Sequence, residues 1–384
     1  RMVEIAPLSD REIRNIAKKW ADHPTEFLRA LSGKPYKDAA SRPLFLTQLI
    51  LIYNKRLDLP SRPAEIYQKI VSICLDLWDQ ERRIVRRSRY TEFTSERKLE
   101  FLAALSFTLT YKVRAKRFTH SQLEDAFQAI CAQFHLPSTE ASDICMEIES
   151  HTGIILRSYD SFEFSHLSLQ EYLCAYHMVR LPFDAVMGEY LVDYPAPVAV
   201  ATSLAADPSA WLAALIYHTN DFDFGTPSSV SQRRLSQDAV LSLLSRLLLE
   251  RPTFSENYLL GLALLRLMSS IEELDIVHAT KKAPDDRASE TYERPVIAVL
   301  KEFIGQDGVI ASIREAFDHY VFDTGVNVSL QGNTFVMERG LGGYEKFSGR
   351  LPKEIRVKRS VIRFLASEFG MTYSWWTAED DIVR

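Results

Sequence analysis

Along most of this chain apolar residues recur at helical spacing, and the polar residues between them read as caps and turns. Pro7-Leu8 precede Ser9-Asp-Arg-Glu12, a capping box in which serine and glutamate satisfy each other's backbone amides, opening a helix to about Trp20. A polar stretch from His23 to Ser41 holds a short helix over 27–31. After Arg42-Pro43, residues 44–53 are apolar on nearly every face, which predicts a buried helix. Pro60 and Pro63 bracket Ser61, the expected cap of a long helix over about 64–82. Its predicted stripe is Ile66, Ile70, Ile73 and Leu77.

From Thr94 the pattern changes. A helix to about Val113 is followed by Phe118 and a second capping box, Thr119-His-Ser-Gln122, which opens a helix to Phe134. Pro137-Ser138 opens a third helix ending near His151. Residues 153–157, the turn Ser158-Tyr-Asp-Ser161 and residues 162–164 predict a hairpin. Three helices closed by a two-stranded wing is a winged-helix layout. In the run Phe162-Glu-Phe-Ser-His166-Leu-Ser-Leu-Gln170-Glu171-Tyr172, a short strand gives way to a polar histidine and then a helix starting near Ser168. A polar residue wedged between apolar elements needs a partner, and that partner can be a ligand.

Residues 181–280 read as helices over 211–217, 238–249 and 257–268, with no clear repeat period. The last two, joined by Glu250-Arg-Pro252, suggest an antiparallel, repeat-like stack. Residues 281–293 are charged and read as a linker. Beyond them, helices over 296–304, 309–319 and 361–369 mix with strand. Residues 327–330 and 334–338 flank Gly332-Asn333, a two-residue hairpin signal. The expected fold is therefore mainly α: a helical domain (1–92), a winged-helix domain (93–180), a helical, repeat-like region (181–280) and a small α+β C-terminal domain (281–384).

Composition adds bounds. The 384 residues are 46% hydrophobic and 25% charged with a net charge of −5, so no global field draws the chain to nucleic acid or a membrane surface. Cys74, Cys131, Cys145 and Cys174 sit in apolar helical contexts without a paired framework, which suits a reducing, cytoplasmic setting. No apolar run is long enough to span a bilayer, and none reads as a signal peptide. Residues 2–5 look like the end of an element, so a longer parent is expected.

Several chemical readings compete. The third winged-helix helix carries Glu140, Asp143, Glu147 and Glu149 and no Lys or Arg, so phosphate would be repelled and DNA readout fails on charge. Arg82, Arg83, Arg86, Arg87 and Arg89 form a basic cluster, read as a solvated face or a contact with acidic partners or a neighbouring protomer. Lys353, Arg356, Lys358, Arg359 and Arg363, near Trp375-Trp376, form a second, a remote candidate for binding nucleic acid or a pathogen protein. Cys131 and His135 stand i, i+4, but zinc ligands come in tighter pairs, and no metal is expected. Asp323-Thr324-Gly325 matches the aspartic-protease triplet, kept only as a remote reading.

The ordered set Pro7-Leu8-Ser9, Arg42-Pro43-Leu44, Leu59-Pro60 with Glu65-Ile66-Tyr67, the hairpin, His166 and Gln170-Glu171-Tyr172 resembles NACHT-type signalling NTPases over roughly residues 1–180. The resemblance implies that Pro43 starts a helix lining the adenine side of a bound ADP or ATP. It implies that His166 reaches the phosphates and holds the protein closed. It further implies an ATPase parent with Mg, missing N-terminal nucleotide-binding and effector domains, self-oligomerisation, a pathogen or ligand trigger, and a role in innate immunity such as antiphage defence. Gln170 and Glu171 are expected to cap or brace the helix after the wing. The chain has no G-x-x-x-x-G-K-[ST] run, so no catalysis and no tight nucleotide binding are expected from it alone. A nucleotide-independent helical scaffold is the alternative.

Overall fold

The computed structural model describes residues 7–56, 58–81, 93–182, 190–191, 193–218, 236–271, 274, 295–321, 327–338 and 354–371. Chain contacts divide it into two compact units: Arg1–Leu181 with Leu249–Arg251, and Pro182–Leu248 with Pro252–Arg384. Both are mainly helical. Among the described residues no helix is long and apolar enough to cross a membrane.

The first unit begins with α1 (Asp10–Trp20), α2 (Pro24–Ser32), α3 (Pro43–Arg56) and α4 (Pro63–Glu81). The capping box forms as expected: Ser9 N–H donates to Glu12 Oε2 at 2.8 Å and Glu12 N–H to Ser9 Oγ at 3.4 Å. The Ser9 hydroxyl donating to Glu12 Oε2 at 2.7 Å, and then the Ser9 N–H, hold the Glu12 carboxyl below the usual range. Helix α3 buries Phe45, Leu46, Gln48, Leu49, Ile50, Ile52 and Tyr53, so its apolar run does face the core on most sides.

Helix α4 departs from its sequence reading in two ways. It buries Ile66 and Ile70 of the expected stripe together with Tyr67, Val71, Cys74 and Leu75, while Ile73 is only half-buried and the Leu77 side chain lies outside the described residues. Tyr67 and Cys74 pack inward as well as aliphatic residues, so the buried face is broader than an aliphatic-only pattern shows. The helix also starts at Pro63, leaving Ser61 outside the capping position. Its cap comes from far along the chain: fully buried Glu250 accepts from Ala64 N–H at 3.0 Å, and its carbonyl accepts from Arg62 Nε at 3.1 Å. A carboxylate there satisfies an orphan amide and the positive end of the helix dipole.

The winged helix comprises α5 (Ser95–Thr108), β1 (Arg117–Thr119), α6 (His120–Ile130), α7 (Ala141–Thr152), β2 (Ile155–Ser158), β3 (Ser161–Phe164) and α8 (Leu167–Met178). Thr94 caps α5, and the Thr119–Gln122 box caps α6. A π-turn, residues 109–113, ends α5. The wing is not a two-stranded hairpin but a three-stranded antiparallel sheet in the order β1-β3-β2. Strand β1 is three residues long, too short for alternation to announce it. Phe118, Phe162 and Phe164 face the core, with Phe118 6.4 Å from Phe162 and 6.1 Å from Phe164 between ring centroids. Arg117 and Glu163 face out and pair at 2.8 Å. Helix α8 packs on α5 and α4, and His177 near its end lies 5.0 Å from the Phe107 ring.

The second unit holds α9 (Pro195–Leu204), α10 (Pro208–His218), α11 (Gln237–Glu250), α12 (Tyr258–Ser269), α13 (Pro295–Ile304), α14 (Asp307–Val321), β4 (Asn327–Gln331), β5 (Thr334–Glu338), β6 (Glu354–Lys358) and α15 (Arg359–Phe369). The expected pairing of α11 with α12 is not the main contact; α12 packs chiefly on α10 and α14. Two glycines allow this. A Cβ on Gly261 would stand 2.0 Å from the Ser312 carbonyl oxygen, and one on Gly308 2.0 Å from that of Phe254. Around the same contact Ser255 N–H donates to Ser209 Oγ at 2.9 Å and Asn257 N–H to Ser312 Oγ at 3.0 Å. The Gly332-Asn333 hairpin forms, with Gly332 at φ +64. Strand β6, which the sequence reading passed over, adds a third strand in the order β4-β5-β6.

Gly261→Ala is expected to lower stability by about 2–3 kcal/mol, because the new methyl meets backbone that cannot rotate away; an unchanged urea midpoint would contradict the close approach. A second expectation concerns pH. Burial, then the nearby Arg180 charge, holds His177 below its ordinary pKa. The unfolded chain therefore binds the extra proton first as pH falls, so this contribution is full above about 6.5 and fades below it. His177→Phe should flatten the slope of the melting midpoint between about pH 7 and 5.

Candidate functional site

His166 is the N-cap of α8, with extended backbone at φ −150 and ψ 139. Its Nδ1 accepts from Ser168 N–H at 3.1 Å. A neutral ring that accepts at Nδ1 carries its proton on Nε2, so that edge of the imidazole is a donor. The ring is half-buried, 5.0 Å from Phe45 and stacked at 6.1 Å on Tyr67 between centroids. It therefore sits where α3, α4 and α8 meet.

Pro43, the first residue of α3, is exposed, and Phe45 lies two residues further along the same first turn. His166 touches Phe45, whereas exposed Pro43, two residues earlier, does not share that face of α3. The Phe45–His166 contact joins the N-terminal turns of α3 and α8. Helix N-termini favour negative charge, and Arg42, exposed before Pro43, adds a cation. A phosphate-bearing group fits this donor set. A phosphate loop and magnesium ligands are not part of it.

Buried polar groups on α3 and before α8 escaped sequence reasoning. Gln48, buried in α3, donates from Nε2 to Cys74 Sγ on α4 at 2.9 Å, while its Oε1 finds no partner. Burial pushes the Cys74 thiol up to about 11, so it is a neutral packing group. The buried Ser165 hydroxyl, next to His166, also finds no partner. A glutamine inside the otherwise apolar run 44–53 was the available signal. Gln170 braces α8 against α5: its Nε2 donates to Thr110 Oγ1 at 3.0 Å, and its carbonyl accepts from Ser106 Oγ at 2.8 Å.

Other candidates separate cleanly. Cys131 and His135 do not share a helical face, because α6 ends at Ile130 and His135 has φ +56. No group of three His, Cys, Asp or Glu able to hold a metal occurs among the described residues. On α7, Asp143 is exposed, and Glu147 and Glu149 are half-buried. Arg356 is exposed on β6, but Lys353 and Trp375-Trp376 lie outside the described residues, as do the arginine cluster 82–89, the linker 281–293 and Asp323-Thr324-Gly325.

Comparison with known proteins bears on the winged-helix fold. No curated protein matches the chain. The family model for the winged helix-turn-helix domain C-terminal to NACHT matches residues 63–178, from the first residue of α4 to the last of α8. Over that range the chain is similar to the winged helix-turn-helix domains that lie C-terminal to NACHT, which supports its likeness to the C-terminal part of a NACHT-type protein.

Proposed function

We propose that the first unit is the regulatory lobe of a NACHT-type signal-transducing ATPase, and that His166 latches it onto ADP in the inactive state. The observation that carries this reading is the ring's position: an Nε2 donor edge at the joined N-terminal turns of α3 and α8. The nucleotide and its Mg would be held mainly by a nucleotide-binding domain elsewhere in the parent protein. His166 would donate to phosphate, and Pro43 would line the purine side. Exchange of ADP for ATP would withdraw that contact and free the winged helix to rotate as a rigid body. Release would permit self-oligomerisation and signalling through an effector domain, with residues 182–384 sensing a pathogen or other ligand. A cytoplasmic innate-immune role, antiphage defence included, is the setting this reading supports.

Two substitutions in the intact parent test it. His166→Asn keeps a side-chain acceptor able to cap α8 but shortens the reach to phosphate. ADP affinity should fall about 10-fold or more while stability stays within a few tenths of a kcal/mol, since a hydrogen bond to a charged group is worth about 1.5–3 kcal/mol. His166→Ala should lose the cap as well, at about 1 kcal/mol. Basal signalling should rise in both. Unchanged ADP affinity in His166→Asn would remove the latch.

A further inference from the structure

A set of cations and a tryptophan on α1 and α3 stand exposed and unpaired. Lys18, Lys19 and Trp20 close α1, and Lys55 and Arg56 close α3. Arg11 and Arg14 share a face of α1 with Lys18, at i, i+3 and i+7. Each of these residues is exposed, Trp20 by 61%. Among the described residues, no ion pair, side-chain hydrogen bond or ring contact reaches any of them.

Asn54 brings the two helix ends together. Its Nδ2 donates to the Trp20 carbonyl at 3.0 Å, and its Oδ1 accepts from Asp22 N–H at 3.1 Å. The backbone that carries Trp20 is thus fastened to the last turn of α3, from which Lys55 and Arg56 follow directly. Cations in a last turn complement the helix dipole, which accounts for Lys18, Lys19, Lys55 and Arg56. The dipole does not account for Arg11, in the first turn, where a cation is disfavoured, nor for the exposed ring beside the others. Exposed Asp10, Asp22 and Asp58 lie among or just beyond the cations in sequence, and Glu12 is tied to Ser9, so the positive excess is local.

We propose that this surface binds single-stranded nucleic acid, with the cations on successive phosphates and a base stacked on Trp20. Arg11, Arg14 and Lys18 rise along α1 in steps of about 4.5 and 6 Å, a row that suits a linear polyanion. An exposed indole flanked by cations is an arrangement on which free bases stack whatever their sequence. A duplex keeps its bases stacked on one another and offers the ring nothing. A bilayer is the poorer occupant, because α1 turns Ile13 and Ala17 inward and leaves no apolar face for lipid. An acidic protein would meet the cations and leave the ring unused. Helix α3, with 14 residues, is about 20 Å long and has Pro43 at its other end, so binding here does not depend on the nucleotide latch.

Fluorescence anisotropy of a labelled oligouridine of about 16 nucleotides, titrated with the whole 384-residue chain, decides it. In about 50 mM NaCl the Kd should be about 10 μM or lower, and binding should quench part of the tryptophan emission. Trp20→Ala should weaken binding about tenfold or more, whereas Trp20→Phe, which keeps a ring to stack on, should stay within about threefold and lose the quenching. Lys18→Gln with Lys55→Gln should weaken binding and lower the slope of log Kd against log salt by about 1.4, since each phosphate of a single strand contributes about 0.7. Lys112→Gln with Lys116→Gln, on the winged helix, should change neither. A Kd above about 100 μM, equal affinity for the oligouridine paired with its complement, or unchanged affinity in Trp20→Ala would overturn the proposal. So would attachment to phosphatidylserine vesicles by a chain that leaves the oligouridine unbound.

Discussion

The bond from Ser168 N–H to His166 Nδ1 constrains both the start of α8 and the ring that caps it. It fixes where α8 begins, since that amide is one of the helix's orphan donors. It also fixes the imidazole's tautomer and its plane, and so decides what the opposite edge of the ring can offer. Phe45 and Tyr67 then hold that plane from α3 and α4. One side chain thus ties the start of the helix after the wing to two helices that precede the winged-helix helices in sequence. A fully protonated ring could not keep this cap, because Nδ1 would become a donor facing a donor. Charging the ring and capping the helix therefore exclude each other, and an anion close enough to favour imidazolium would act directly on the first turn of α8.

That coupling matters because α8 is braced along its length. Gln170 bonds to Thr110 and Ser106, and buried Tyr172, Leu173 and Cys174 follow on the same helix. The bonded groups lie at the end of α5 and in the π-turn that follows it, where the wider turn offers Thr110 to the glutamine. Packed side chains of this kind transmit a displacement rather than absorb it. A change at the cap would be felt by α5, while the sheet, held by its own phenylalanine cluster, would move with it as a body.

Local chemistry made much of this legible in advance. Both capping boxes, the hairpin turns at Ser158–Ser161 and Gly332-Asn333, and the buried run after Pro43 are short-range signals, and each forms where the residues indicate. What escaped was short or distant. Strand β1 is only Arg117–Thr119, and its pairing with β3 is a long-range choice. Strand β6 alternates polar and apolar from Glu354 to Lys358, yet its cations drew the eye to charge instead of to the alternation. The Glu250 cap on α4 could not be read at all, because no pattern near Pro63 names a carboxylate so far along the chain. For the site, the sequence marked His166 and Pro43 but not the partners that orient the ring, since Phe45 and Tyr67 look like any other core aromatics.

The charge carried by the third helix of this winged helix does not suit the approach to DNA that the fold makes in other proteins. In a DNA-binding version the third helix must approach phosphate, and affinity depends on cations around it. Here that helix is acidic, and a run of cations stands before β1 instead. The phenylalanine core and the sheet register do not depend on the sign of these charges, because the residues that carry them are exposed or half-buried. Architecture and task are therefore separable in this domain.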